Sequence, residues 1–450
     1  MASNTLQLQV GTSYKSILKI ALPIAFSIFV PQLNFITNNI FLGGLSQQAL
    51  AIAGITGVYY LIFAVIGSGL NNGLQSLISR RAGENNTAAI GQIFHHGVVI
   101  ALLMSAVGIV LTYLLAPTIL SKSLHNSEHV TTAIQFLYIR IWGLPFLYIY
   151  QMRNALLVGT NNSKLLVLGT LAETIINVVL DYTLIYGKLG MPQLGFNGAA
   201  YASIIAEASG LLVIFAVMRW KGLSKQLQLF KKIQWQQQYL QQILTISAPL
   251  VLQYAISIIS WEFFYILIEH HGEQDLAISN IMRNVFGLFG CMCWAFAATS
   301  NSMVSNVIGQ QKQQEVLPLI WRLVKLSTGF SFVVCVLLNA FPTLFLSVYG
   351  QDANFVHNAI PVLRIVSSAL LMMSVATIFL NAVVGTGNSK LNLFTETAAI
   401  VVYCAYAYYV LEYLQLSIVW GWASEWLYWI VMFIPSFWYI RSNRWQYRTM

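Results

Sequence analysis

Gly159-Thr160-Asn161-Asn162-Ser163-Lys164-Leu165 returns 226 residues later as Gly385-Thr386-Gly387-Asn388-Ser389-Lys390-Leu391. The same shift carries Leu18, Ile20 and Pro23 onto Leu244, Ile246 and Pro249, and Gln48-Ala49-Leu50-Ala51-Ile52 onto Gln274-Asp275-Leu276-Ala277-Ile278. Phe63, Ser76, Ser79 and Gly83 meet Phe289, Ser302, Ser305 and Gly309 in the same register. A register held over that length marks a duplicated unit. Composition says where the unit lives: 57% of the 450 residues are apolar and 8% charged, too apolar for a soluble surface.

A bilayer core is about 30 Å thick and takes about 20 mostly apolar residues per helical span. Twelve runs qualify: Ile17 to Leu42, Ala49 to Ser79, Val98 to Leu120, Ala133 to Val158, Leu165 to Tyr186, Ala199 to Val217, Ile243 to Ile268, Ala277 to Ser300, Leu323 to Val348, Ala359 to Val384, Leu391 to Leu411 and Ile418 to Ile440. They are continuous instead of alternating, which predicts helices and excludes barrel strands. The predicted fold is an all-α polytopic membrane protein with twelve transmembrane helices in two six-helix repeats. Six is even, so both copies enter the membrane from one side and are related by a pseudo-two-fold axis along the membrane normal. Residues 1–218 form an N-terminal lobe, 219–242 a basic, Gln-rich linker and 243–450 a C-terminal lobe.

The net charge of +9 follows loop parity, not a nucleic-acid-binding patch. Of 23 Lys and Arg residues, seventeen fall on one side, only Lys122 and Lys188 on the other, and Arg140, Arg153, Arg283 and Arg364 within spans. Both termini, and the linker with Lys231 and Lys232, are therefore expected in the cytoplasm. Met1 to Tyr14 is polar and the first apolar run is too long for a cleavable leader, so no signal-peptide cleavage is expected. Cys291, Cys293, Cys335 and Cys404 lie in apolar spans as small buried side chains, without a disulfide or metal pattern. His95-His96 and His270-His271 cannot both project from one helical face. Gly385 to Lys390 lacks the order of a phosphate loop, and no hydrolase, zinc or nucleotide motif points to an enzyme.

Acids in lipid are costly and mark ion or substrate paths. Six are candidates: Glu173, Asp181, Glu207, Glu262, Glu396 and Glu425. Glu173, Asn177 and Asp181 share one face of span five, at i, i+4 and i+8, and Ser203 and Glu207 are four apart on span six. Two such stripes facing each other can hold a proton or coordinate Na+ through hard oxygens, with Asp181 best placed; simple helix-to-helix hydrogen bonding is the alternative. Trp261-Glu262-Phe263-Phe264-Tyr265, with Trp294 on the next span, sets an acid among aromatics, as organic cations prefer. Arg283, between Asn280 and Asn284, can neutralise one of these acids. Arg140 and Arg364 are expected to snorkel to the outer interface. Pro23 and Pro249 weaken spans one and seven at equivalent points and permit a bend.

Several stretches resemble the multidrug and toxic compound extrusion (MATE) transporters: Ala21-Leu22-Pro23, Ile40-Phe41-Leu42-Gly43, Ala49-Leu50-Ala51, Ile78-Ser79-Arg80-Arg81-Ala82-Gly83-Glu84, Asn177-Val178-Val179-Leu180-Asp181-Tyr182, Gly198-Ala199-Ala200-Tyr201-Ala202-Ser203 and Val304-Ser305-Asn306-Val307-Ile308-Gly309-Gln310. The resemblance implies two lobes around a central cleft that exports amphipathic organic cations or drugs by antiport with H+ or Na+, with no cofactor. It assigns Asn177 and Asp181 to an ion-coupling cluster and makes Pro23 the hinge. The first-helix Asp of that cluster is replaced by Asn38, which cannot itself bind a proton near neutral pH. Coupling then falls to Asp181 alone, to Glu173 or Glu207 as substitutes, or to Na+ held by Asn38, Asn177, Asp181 and Ser203.

The expected protein is a bacterial, multi-pass inner-membrane antiporter whose partners are a small organic cation and the lipid bilayer, with no nucleic acid and no obligate protein partner. The alternative is a flippase for a lipid-linked oligosaccharide on a related two-lobe fold.

Overall fold

The computed structural model describes residues 7–123, 127–229, 235–349 and 352–447, and among these every regular element is helical. Six helices make the first repeat: α1 (Tyr14–Leu45), α2 (Gln47–Gly83), α3 (Thr87–Ser123), α4, α5 (Lys164–Tyr186) and α6 (Phe196–Trp220). The second contains α7 (Gln237–Glu269), α8 (Glu273–Gly309), α9 (Val316–Ala340), α10 (Ala353–Gly385), α11 (Ser389–Tyr408) and α12 (Ser424–Arg441). Helices are the natural solution for such runs, because lipid offers no partner for backbone polar groups. α4 comes in two parts, Ser127–Arg140 and Leu144–Gly159, joined by the 3₁₀ turn Ile141–Gly143. Pro145 causes the break, since it lacks the N–H that would continue the ladder.

Among the described residues, eleven helices are long and apolar enough to cross a bilayer. α12 is the twelfth. Its 18 residues span about 27 Å, but Trp426, Tyr428, Trp429, Trp438 and Tyr439 make it less apolar than the others. The short helix Ile418–Trp422 leads into it.

The repeat register is visible in the contacts between the halves. Gln75 Nε2 donates to the Ala298 carbonyl (2.8 Å), and its counterpart Asn301 Nδ2 donates to Asn72 (3.0 Å). Ser76 Oγ donates to Val384 O (3.0 Å), as Ser302 Oγ does to Val158 O (3.2 Å). Ser79 pairs with Ser302 (2.8 Å) and Ser305 with the Ser76 carbonyl (2.7 Å). Each pair maps onto the other by 226 residues, which is what a two-fold axis between α2 and α8 requires. Small polar residues allow this close approach within a membrane. Residues 73–80 and 299–308 are buried without exception, so the halves are sealed at the end that carries the basic loops. Toward the opposite end, exposed positions such as Leu33, Phe35, Ile36, Arg283 and Asn284 come to the surface of α1 and α8.

The seam is narrowest at Gly83 and Gly309. A Cβ on Gly83 would lie 3.0 Å from Gly309 Cα and press on the Asn306 carbonyl. Gly83→Val is expected to force the seam apart. In a Ser302→Cys background it should turn a protected thiol into one labelled by an impermeant reagent from the basic side; unchanged protection would show that the seam absorbs the added methyls.

Two of the intrahelical prolines, Pro23 and Pro249, have the same arrangement. Pro23 cannot bond the Lys19 carbonyl, nor Pro249 that of Thr245. Ser163 Oγ donates to Lys19 O (3.5 Å) and Ser389 Oγ to Thr245 O (3.3 Å). The repeated Asn-Ser-Lys turn thus caps the carbonyl that each proline leaves free, and α1 runs continuously through Pro23.

One element has no counterpart among the described residues of the second half. Residues 7–12 lie across the basic end with Leu8 and Val10 buried. Asn306 bonds both the Leu8 carbonyl (3.0 Å) and the Val10 N–H (3.1 Å), Gln310 the Val10 carbonyl (2.9 Å) and Arg322 the Thr12 carbonyl (2.8 Å). The linker is likewise anchored: Leu223, Leu227 and Leu229 are buried, and Trp235 stacks on His96 of α3 at 5.0 Å. Lys231 and Lys232 lie outside the described residues.

Candidate ion and substrate sites

α1 and α5 run in the same direction side by side, so positions a turn apart on one face a turn apart on the other. Asn34 Nδ2 donates to Asn177 Oδ1 (2.8 Å), and about two turns on, Tyr186 OH donates to the Phe41 carbonyl (2.6 Å). Between these rungs lie Asn38 and Asp181. Asn177 Nδ2 lies 3.5 Å from Ser203 Oγ of α6; with the amide turned over, it donates to Asp181 Oδ2 (3.1 Å) while Oδ1 accepts from the Ser203 N–H (3.3 Å). Asp181 is fully buried, and its Oδ1, like Asn38 Oδ1, is a buried acceptor with no protein donor. Oxygen acceptors without donors suit a proton on the carboxyl or a hard monovalent cation. Asn34 was missed in the sequence. Its signal was its spacing, four before Asn38.

Glu173 and Glu207 form a separate layer nearer the basic end. Arg140 makes a two-pronged pair with Glu207, at 2.5 and 3.1 Å, and lies over the Tyr60 ring at 3.8 Å. Arg140 therefore does not snorkel as expected: its side chain is nearly buried because Glu207 on α6 offers it a partner. Arg364 is exposed. Gly143 makes room, since a Cβ there would come 2.6 Å from Glu207 Oε2. Glu173 faces Glu207 and also Arg140 and Arg153. Arg153, fully buried, stacks on Tyr150 at 3.7 Å. Two acids and two arginines balance in this layer, so Glu207 has a direct ion pair with Arg140, which acts on Asp181 only from a distance. The stripes of α5 and α6 do face each other, in two layers at different depths.

In the second half Trp261 packs on Tyr265 (6.0 Å) and Phe286 (6.5 Å), and the Arg283 guanidinium lies 5.4 Å from the Tyr265 ring. Glu262 is exposed, and Tyr265 lies within electrostatic reach of both Glu262 and Arg283. Among the described residues Arg283 makes no ion pair. Trp294 is not part of this group: eleven residues further along α8, it sits about 16 Å deeper. The second histidine pair is hydrogen-bonded to the turn after α11, His270 with Glu412 and His271 with the Leu411 carbonyl. Among the described residues no three His, Cys, Asp or Glu side chains are grouped to hold a metal ion. Cys291 and Cys293 are buried, while Cys335 and Cys404 are half-buried.

Comparison with known proteins gives this geometry a context. The MatE family model matches twice, over residues 23–183 and 249–409, two stretches separated by the same 226 residues. The chain is 25% identical over 344 residues to "Probable multidrug resistance protein NorM" of Synechocystis, covering 74% of this chain and 73% of that one. In fold it matches a structure described as the outward-facing conformation of a multidrug resistance MATE family transporter of the MOP superfamily (TM-score 0.86, 20% identity, 98% of both chains). It also matches a MOP superfamily transporter from Pyrococcus furiosus described as having a binding pocket of reverse polarity (TM-score 0.88, 17% identity, 100% of both chains). With its twelve helices in two repeats and both repeats matched, this chain is a multi-pass membrane protein that belongs to the MatE family, the multidrug and toxic compound extrusion transporters.

Proposed function

We propose that this protein is a secondary active antiporter of the inner membrane that exports amphipathic organic cations in exchange for H+ or Na+, with both termini in the cytoplasm. The observation that carries the reading is the buried Asp181, an acid in no ion pair among the described residues and with one oxygen without a donor, within a shell of Asn34, Asn177 and Ser203. Such a group favours taking up a positive ion, and it lies where α1, α5 and α6 meet, so occupancy bears on how these helices pack. The outward-facing MATE structure and the multidrug resistance relative support export as the direction and drugs as the cargo. Glu262 beside Trp261 and Tyr265 fits the cationic end of such a substrate, and Arg283 limits how much positive charge the site accepts. The division into lobes at 1–218 and 243–450, hinged at Pro23, is the frame in which the exchange works.

The test is a proteoliposome assay with a fluorescent organic cation and an imposed H+ or Na+ gradient in turn. One of the two gradients should drive uphill movement. Movement driven only by nucleotide, or gradient-independent movement of a lipid-linked oligosaccharide, would overturn the reading, the latter in favour of a flippase.

A further inference from the structure

The second half contains a buried acid of its own. Glu396 on α11 accepts from Ser257 Oγ (2.7 Å) and Gln253 Nε2 (3.2 Å) of α7 and from Tyr428 OH (2.5 Å) of α12. No Lys, Arg or His donates to it among the described residues. α7, α11 and α12 are the first, fifth and sixth helices of their repeat, as α1, α5 and α6 are of theirs. Each half therefore buries an acid outside any ion pair among the described residues where the same three helices meet: Asp181 in the first half, and in the second Glu396, with Glu425 on α12 as a second such acid. The positions differ. Glu396 corresponds to Thr170, eleven residues before Asp181, which puts it about 16 Å nearer the basic end. A second observation concerns Gln253, which is 7% exposed and whose Oε1 has no partner although its Nε2 reaches the carboxylate.

We propose that Glu396 is a second proton-binding site, with Gln253 as the amide that reads its state. With the carboxylate charged, Gln253 Nε2 donates to it, leaving Oε1 empty. When a proton arrives on Oε2, the carboxyl becomes a donor; the amide turns over and Oε1 accepts from it. Nothing else is consumed or released. The consequence reaches the seam, because the neighbouring Tyr254 OH accepts from Asn72 Nδ2 of α2 at 2.6 Å. The titratable groups around the site are Tyr254 on α7, Tyr403 on α11, and Tyr428 and Glu425 on α12, with no cation among them. A role in coupling deepens the antiport reading and rests on it; proton binding does not.

The experiment is pH-difference infrared spectroscopy of the full-length protein in lipid, following the carbonyl stretch of protonated carboxylic acids. Glu396→Gln should lose one such band, Glu396→Asp should retain it, and Asp181→Asn should leave it in place. Tyr428→Phe should change its frequency, because a hydrogen bond to the group is gone. An unchanged spectrum in Glu396→Gln overturns the proposal; if that variant does not fold, an unchanged frequency in Tyr428→Phe does. A wild-type band without gradient-driven transport would refute the antiport reading alone, and transport without a band assigned to Glu396 would refute this site alone.

Discussion

Asp181→Asn is expected to uncouple transport. A tenfold gradient of a coupling ion is worth about 1.4 kcal/mol per ion exchanged, so one ion per substrate sustains about a tenfold substrate gradient. In the variant that ratio should fall to about one, whether H+ or Na+ is the ion, as measured by steady-state accumulation of a fluorescent cation in proteoliposomes. Asparagine has nearly the same shape and can still bond Asn177, so thermal stability should change little. Retention of the full tenfold ratio would remove Asp181 from its role and shift attention to Glu173. The prediction is sharper because of Asn38: with an amide at that position on α1, the outer layer of the first half has a single carboxylate to lose.

Arg140→Leu should give the largest loss of stability. It leaves Glu207, which is 7% exposed, as a buried acid without its two-pronged partner. Removing one member of a buried pair costs about 3–5 kcal/mol, and the contact with the Tyr60 ring goes as well. The double variant Arg140→Leu/Glu207→Leu should recover much of that loss, because replacing both charges with apolar groups removes the unpaired one. Thermal unfolding of the purified protein compares the four species. A single variant as stable as the parent would mean that Glu173, Arg153 and nearby water redistribute the charge. That result would also reopen Glu207 as an ion-coupling residue, which its pairing with Arg140 argues against.

The duplication, and with it much of the fold, was legible in the chain. One register of 226 residues aligned the two halves, and a two-fold axis turns that equivalence into the matched pairs of contacts across the seam. The twelve spans were readable because lipid punishes any charged or unpaired group, so an apolar run of sufficient length has essentially one solution. The run from Ile418 to Ile440 read as one span like the others, and the structure divides it into the short helix Ile418–Trp422 and α12.

The roles of the acids were decided by the tertiary structure. Spacing placed Glu173, Asn177 and Asp181 on one face and Ser203 with Glu207 on another, and those faces do meet. Whether an acid has a cation beside it depends on a third helix, however, and lateral distances between helices far apart in sequence leave no periodic trace. Arg140 lies 67 residues from Glu207, and Ser257 lies 139 from Glu396. Nothing local in the sequence separates the acid that Arg140 pairs with from Asp181 and Glu396, which are buried outside any ion pair among the described residues. Packing makes that distinction, because a buried charge takes its character from whichever groups the fold brings within a few ångströms.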